Sequence, residues 1–417
     1  MRRVSNLASP AGARPPSPAC WAWAYANIHK PLGLPARIDR HNPCYGKPQF
    51  ALQSISVPSC KYTRSICLIL FSSIQHDTTK SFNTTTRLNA AMSLTIQHLN
   101  TDCTFLLAFS PAYNTAEEHP HRFPGAFTIL IDPWLSGGSS IIHPTFQYTK
   151  HTDKPHITSL ADLKQPIDLI IISQDKPDHC HRETLCSLPK NKHVNILATR
   201  AAAKKIKSWS FFDENNIHII PPYNPHDEDS LITIALPAYT STGSPGELTI
   251  AHLPTKYDLT KVHDAIAITY RPPSTIFSST PSQPSQTQNK PLSLLYTPHG
   301  ISPATLAPYL KSHLHPQSAL PLTALIHAFS HERNPSCLGG SVVRGAPGGL
   351  ELLRELGGSV QTWISAHDAP LERRGWSVKW LKSRILGREE VEGWVRERGW
   401  GTRCVEMGSG EVLRVGG

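Results

Sequence analysis

The sequence predicts a layered α/β protein built on mixed β-sheets. Short apolar runs rich in β-branched residues recur through most of the 417-residue chain. The leading runs are hairpin-like, and helical periodicity appears between the later ones. The strand-like runs fall at 94–99, 104–109, 127–131, 168–173, 194–198, 218–221, 231–236, 247–253, 265–270, 292–297, 322–328 and 360–365. Helical patterns occupy 199–209, 303–314, 348–356, 371–385 and 389–398. Two segments read as loops: 281–290 (PSQPSQTQNK) is a polar, low-complexity, flexible insertion between strands, and 334–349 is Gly/Pro-rich. No stretch approaches the roughly 18 uncharged apolar residues of a membrane-spanning helix, and no internal repeat is visible.

The formal net charge of +10 suggests a polyanion binder until it is located. Eleven of the 41 basic residues and two of the 31 acidic ones fall within residues 1–91, so this segment carries +9 and the remaining 326 residues +1. The globular part is nearly neutral and offers no argument for nucleic acid. The first 91 residues show no sustained periodicity, and their recurrent prolines block long helices. Their Arg-rich, Ser/Thr-rich, acid-poor composition is that of a mitochondrial transit peptide, yet the prolines oppose the amphipathic helix such a signal needs. Met92, the only methionine between Met1 and Met407, stands two residues before the first strand-like run, and an alternative reading starts translation there. The expected organisation is a disordered basic leader over 1–91 and one domain over 92–410. Cys103, Cys180, Cys186, Cys337 and Cys404 show no paired spacing. They read as thiols of an intracellular protein, cytoplasmic unless the leader directs it to mitochondria or to an anionic surface.

The strongest chemical signal is Asp168-Leu-Ile-Ile-Ile-Ser-Gln-Asp-Lys-Pro-Asp-His-Cys-His181. A buried strand runs into a turn dense with titratable side chains, and strand C-terminal ends are where α/β proteins place chemistry. The segment resembles the strand–H-x-H-x-D-H signature of the metallo-β-lactamase-fold hydrolases. Asp178 and His179 keep its last two members, whereas Gln174 and Lys176 replace its first two histidines. Ile129 to Gly137 resembles the family's early strand, ending here in Asp132. Leu294 to Gly300 sits where the family has a strand ending in Gly-Asp, and Trp363 to Asp368 resembles the late strand that delivers its last histidine. The resemblance spans roughly residues 94–385 and is nearest to the branch with sugar-lactone hydrolases and phospholipase-D-like lipid hydrolases. It implies a four-layered αβ/βα sandwich.

The resemblance also implies what becomes of the family's two metals. Ligands of the first map onto Gln174, Lys176 and either Lys256 or Tyr257, and an ammonium repels a divalent cation, so that site is lost. Ligands of the second map onto Asp178, His179, His299 and His367, all able to hold zinc or iron. The expectation is a mononuclear site for one divalent metal, zinc foremost. Asp132 supports it from behind the ligands, with His181 and Asp368 as further supporting residues. Lys176 stands in for the missing cation and, with Gln174, binds a substrate anion. Asp178 and Lys176 are the candidate catalytic residues, for water attack on an ester, lactone or phosphodiester of a small-molecule substrate.

A blander reading competes. Asp178 caps a helix that starts at His179, Lys176 is a solvated turn charge or neutralises Asp175 and Asp178, no metal binds, and the chain is an inactive binding or scaffold module. His331-Glu332-Arg333 lines the same rim or is a solvated loop. The mixed charges of Glu372, Arg373, Arg374, Lys379, Lys382 and Arg384 read as solvated helix faces. Phosphate-binding and Ser-hydrolase motifs are absent, and no pattern fixes the oligomeric state.

Overall fold

The computed structural model describes residues 92–111, 126–189, 193–238, 243–258, 260–273, 290–336 and 339–416. The predicted leader, Cys337 and nearly all of the 281–290 insertion lie outside the described residues. The strands are β1 (Ser93–His98), β2 (Phe105–Ser110), β3 (Phe127–Ile131), β4 (Gly138–Ile141), β5 (Gln147–His151), β6 (Leu169–Ile172), β7 (Asn195–Ala198), β8 (Ile217–Ile219), β9 (Ile232–Leu236) and β10 (Gly246–Pro254). They continue as β11 (Asp264–Arg271), β12 (Leu292–Tyr296), β13 (Leu322–Ile326), β14 (His331–Arg333), β15 (Ser341–Val343), β16 (Val360–Ile364), β17 (Leu371–Arg374), β18 (Lys382–Arg384), β19 (Arg403–Val405) and β20 (Val412–Val415). Each of the twelve runs read as strands is present, within two residues at either end.

Two seven-stranded sheets carry the fold, in the orders β20-β1-β2-β3-β6-β7-β8 and β19-β16-β13-β12-β11-β10-β9. Each is antiparallel at its hairpin end and parallel elsewhere: β3, β6, β7 and β8 run together in the first, and β12, β13, β16 and β19 in the second. β6 is Leu-Ile-Ile-Ile and wholly buried, as a central parallel strand covered on both faces must be.

The inner faces pack on each other through residues such as Phe105, Leu107, Ile129 and Ile171 from the first sheet and Ile250, Ile268, Leu294 and Ile326 from the second. The outer face of the first sheet is covered by the helix Arg200–Lys207 through Ala202, Ala203 and Ile206. That of the second is covered by the helices Pro303–Tyr309, Gly345–Glu355 and Arg388–Glu397, through Leu306, Leu352, Leu353 and Val391 among others. The result is the expected four-layered αβ/βα sandwich. Among the described residues no helix is long and apolar enough to cross a membrane.

Three readings need correction. The segment 371–385 is not a helix: β17 pairs with β5, β18 pairs with β14, and a short 3-10 turn, Ser377–Trp380, joins them. Its helical spacing is overridden by Gly375, which stands at φ +113° with its Cα against the Phe146 carbonyl. The stretch 334–349 is not one loop, since it holds β15 and the start of the Gly345–Glu355 helix. The pattern at 303–314 becomes an α-helix only to Tyr309 and then a π-helical turn, Leu310–Leu314. The last strand, β20, lies beyond residue 410 and closes the edge of the first sheet on β1.

These contacts set a stability expectation. A Cβ on residue 375 would lie 2.4 Å from the Phe146 oxygen and at a φ that L-residues avoid. Gly375→Ala is therefore expected to destabilise by more than about 1 kcal/mol in urea unfolding. Unchanged stability would show that the β17–β5 junction relaxes freely.

Candidate metal centre

The chemically rich residues sit just past the C-terminal ends of parallel strands: Asp132 after β3, Asp178 and His179 after β6, His299 after β12 and His367 after β16. Asp132 and His367 both have positive φ, +43° and +61°. Non-glycine residues tolerate that conformation only where the surroundings enforce it. Gly300, at φ +85°, follows His299 because a Cβ there would meet His327 at 2.7 Å.

Each histidine ring is fastened at Nδ1. His179 donates to Asp132 Oδ2 (2.8 Å), His299 to the Val342 carbonyl (3.0 Å) and His367 to Asp102 Oδ1 (3.0 Å). The opposite nitrogens of His179 and His299 are left facing each other, Nε2 to Nε2, at 3.0 Å. Ring centroids of the three histidines lie 4.4–5.7 Å apart. Asp178 Oδ2 approaches His179 Nε2 at 3.9 Å, and its Oδ1 is buried with no hydrogen-bond partner. One ligand-capable atom from each of Asp178, His179, His299 and His367 lies within 4.8 Å of the others. The structure thus brings together the four residues that sequence comparison paired as a ligand set.

Electrostatics divide the rings. Burial foremost, with the neighbouring His367 acting in the same direction, drives His299 well below the ordinary histidine pKa, so this ring is neutral at pH 7. Burial also lowers His367, but the Asp102 carboxylate outweighs it and raises the ring to about 9. Burial pushes Asp102 upward, and His367 and His151 overcome this and hold its carboxyl well below the usual range. Asp132 is fully buried; its Oδ1 accepts from Ser173 N (2.7 Å) and its Oδ2 from Ser173 Oγ, His179 and Tyr296 (2.8 Å), so both oxygens are engaged behind the histidines.

The donor set suits a borderline cation. Two neutral imidazole lone pairs cannot face each other at 3.0 Å without an electrophile or a proton between them, and imidazole–carboxylate sets are those zinc takes. A fully buried anion behind the rings, and a carboxylate oxygen without a partner beside them, add to that fit.

The other expected residues are distributed as follows. Lys176 lies 3.3 Å from Asp175 and is partly exposed. Gln174 is buried, with its amide nitrogen toward the Val262 carbonyl and its oxygen unpartnered. Tyr257 is 99% exposed and Lys256 is also exposed, so neither reaches the cluster. Asp178 does not cap a helix. His181 is the N-cap, and the helix Arg182–Leu185 begins three residues later than expected, because His181 Nδ1 meets Thr184 N and Oγ1. Asp368 accepts from Phe329 N and Ser330 N, tying the ends of β13 and β16 together. Glu332 pairs with Arg373. Asp102, His151 and Tyr296 were not anticipated. They come from a hairpin turn, from the central strand of a small three-stranded sheet that lacks apolar alternation, and from the last position of β12.

Residues 128–262 match the model of the beta-lactamase superfamily domain, a span holding Asp132, Asp178 and His179 but neither His299 nor His367. The isothiocyanate hydrolase from Delia radicum gut bacteria is 16% identical with a TM-score of 0.44, over 76% of this chain and 98% of that one. The metallo-beta-lactamase fold protein YhfI from Bacillus subtilis is 12% identical with a TM-score of 0.39, over 78% and 100%. Unliganded yeast PDE1 is 10% identical with a TM-score of 0.40, over 78% and 99%. No curated protein matches the chain. The matched span lies within the four-layered αβ/βα sandwich described above and carries three of the residues that surround the cluster.

The His367–Asp102 pair predicts a pH dependence for the metal-free protein. A histidine raised to about 9 on folding contributes stability that is complete below its unfolded pKa near 6.5 and lost as pH rises through 9. Urea midpoints of chelator-treated protein should fall across that window, and the fall should vanish in His367→Gln. An identical slope in both proteins would show that the pair does not carry the effect.

Proposed function

We propose that this protein is a metal-dependent hydrolase with a mononuclear site held by Asp178, His179, His299 and His367, zinc being the expected ion. The observation that carries the reading is the 3.0 Å approach of two histidine Nε2 atoms whose Nδ1 protons are already engaged. A divalent cation there supplies Lewis acidity to an ester, lactone or phosphodiester.

The chain's own residues then have distinct tasks. Asp132 holds the His179 ring with its Nε2 inward. The free Oδ1 of Asp178 accepts a proton or a hydrogen bond from the attacking water. Lys176 makes no ion pair with Asp178, and its ammonium, steadied by Asp175, is available to a substrate carboxylate or phosphate. This pairing disfavours the inactive-scaffold reading in the form where Lys176 neutralises Asp178.

Metal analysis of purified protein tests the site. Wild-type protein should carry about one zinc per chain and His179→Ala under about 0.2, since loss of a ligand removes most of the binding energy. Wild-type protein below about 0.2, unaffected by that substitution, overturns the site. Zinc-loaded protein that turns over no ester, lactone or phosphodiester leaves a metal-binding module and overturns the hydrolase assignment.

A further inference from the structure

We propose that Asp102 is the positioning residue that makes His367 a metal ligand, an inference that rests on the mononuclear reading above. His367 is held twice by this one residue: its backbone N–H donates to the Asp102 carbonyl (3.1 Å), and its ring Nδ1 donates to Asp102 Oδ1 (3.0 Å). The double grip falls on a non-glycine residue at φ +61°, a conformation that needs such enforcement. It leaves Nε2 as the only ring nitrogen free to face Asp178, His179 and His299.

Asp102 is itself built in. It is fully buried, and its second oxygen accepts from His151 Nε2 at 3.2 Å. His151 in turn lies against Trp134, with ring centroids 3.8 Å apart. The turn that carries Asp102 is closed by Asn100, whose side-chain oxygen accepts from Asp102 N and Thr104 N and whose amide donates to the Trp134 carbonyl. The carboxylate therefore has no freedom to swing away from the ring. Cys103 Sγ also lies 3.3 Å from His367 Nδ1, but a thiol is a far weaker acceptor than a buried carboxylate. A carboxylate on the outer nitrogen of a ligating histidine fixes its tautomer and raises its basicity.

The test compares zinc affinity, by chelator competition, in wild type, Asp102→Asn, Cys103→Ser and His179→Ala. Asp102→Asn should lose about 10–100-fold in affinity and Cys103→Ser little. Cobalt-substituted Asp102→Asn should also show an altered d–d spectrum, which a purely structural role would not produce. Should Asp102→Asn fail to fold, two-bond proton–nitrogen NMR of zinc-loaded wild type decides. A proton on His367 Nδ1 with metal at Nε2 supports the proposal, and metal at Nδ1 overturns it. Affinity and spectrum unchanged in Asp102→Asn, with His179→Ala still abolishing binding, overturn the positioning role while leaving the metal site intact. Wild-type protein that takes up no zinc overturns both.

Discussion

Two histidine rings meet nitrogen to nitrogen at 3.0 Å between the sheets, and each has its other nitrogen engaged elsewhere. Much of the local architecture can be understood from that contact. His179 arrives from the end of β6 in the first sheet and His299 from the end of β12 in the second, so the pair spans the sandwich. Two lone pairs repel at that distance unless a positive charge lies between them. The contact therefore calls for a proton or a cation between the two nitrogens, and the buried carboxylates behind the rings are placed where they would stabilise one.

Those anions are arranged unequally. Asp132 backs His179 and is saturated by Ser173 and Tyr296, whereas Asp102 backs His367 and shares its second oxygen with His151. His299 has only a backbone carbonyl behind it and is driven neutral by burial. In the metal-free protein, the Asp102 carboxylate raises His367 to about 9, so this ring carries a proton at neutral pH. A cation entering the cluster must displace that proton, so loading and pH are linked through His367.

Much of this was legible in the sequence because the dominant signal was buried parallel strands. Leu169–Ile172 and Leu292–Tyr296 are wholly buried, and Asp178, His179 and His299 follow them within a few residues. The ligand set was legible through resemblance, since Asp178 and His179 adjoin and His299 and His367 each follow a strand. Asp102 was not. It sits in a polar hairpin turn, and the ring it holds is 265 residues downstream. His151 belongs to a strand, Gln-Tyr-Thr-Lys-His, without apolar alternation, formed because β4 and β17 pair with it. The segment 371–385 misled for the complementary reason: its apolar spacing suits a helix, but its pairing partners and one left-handed glycine lie outside any local window.

The most direct test of the account is anomalous diffraction at the zinc edge from crystals of zinc-loaded protein. The account predicts one strong peak within about 2.0–2.2 Å of both His179 Nε2 and His299 Nε2, with His367 Nε2 and an Asp178 oxygen completing the set. No peak between those rings, or a peak held by other residues, would contradict it.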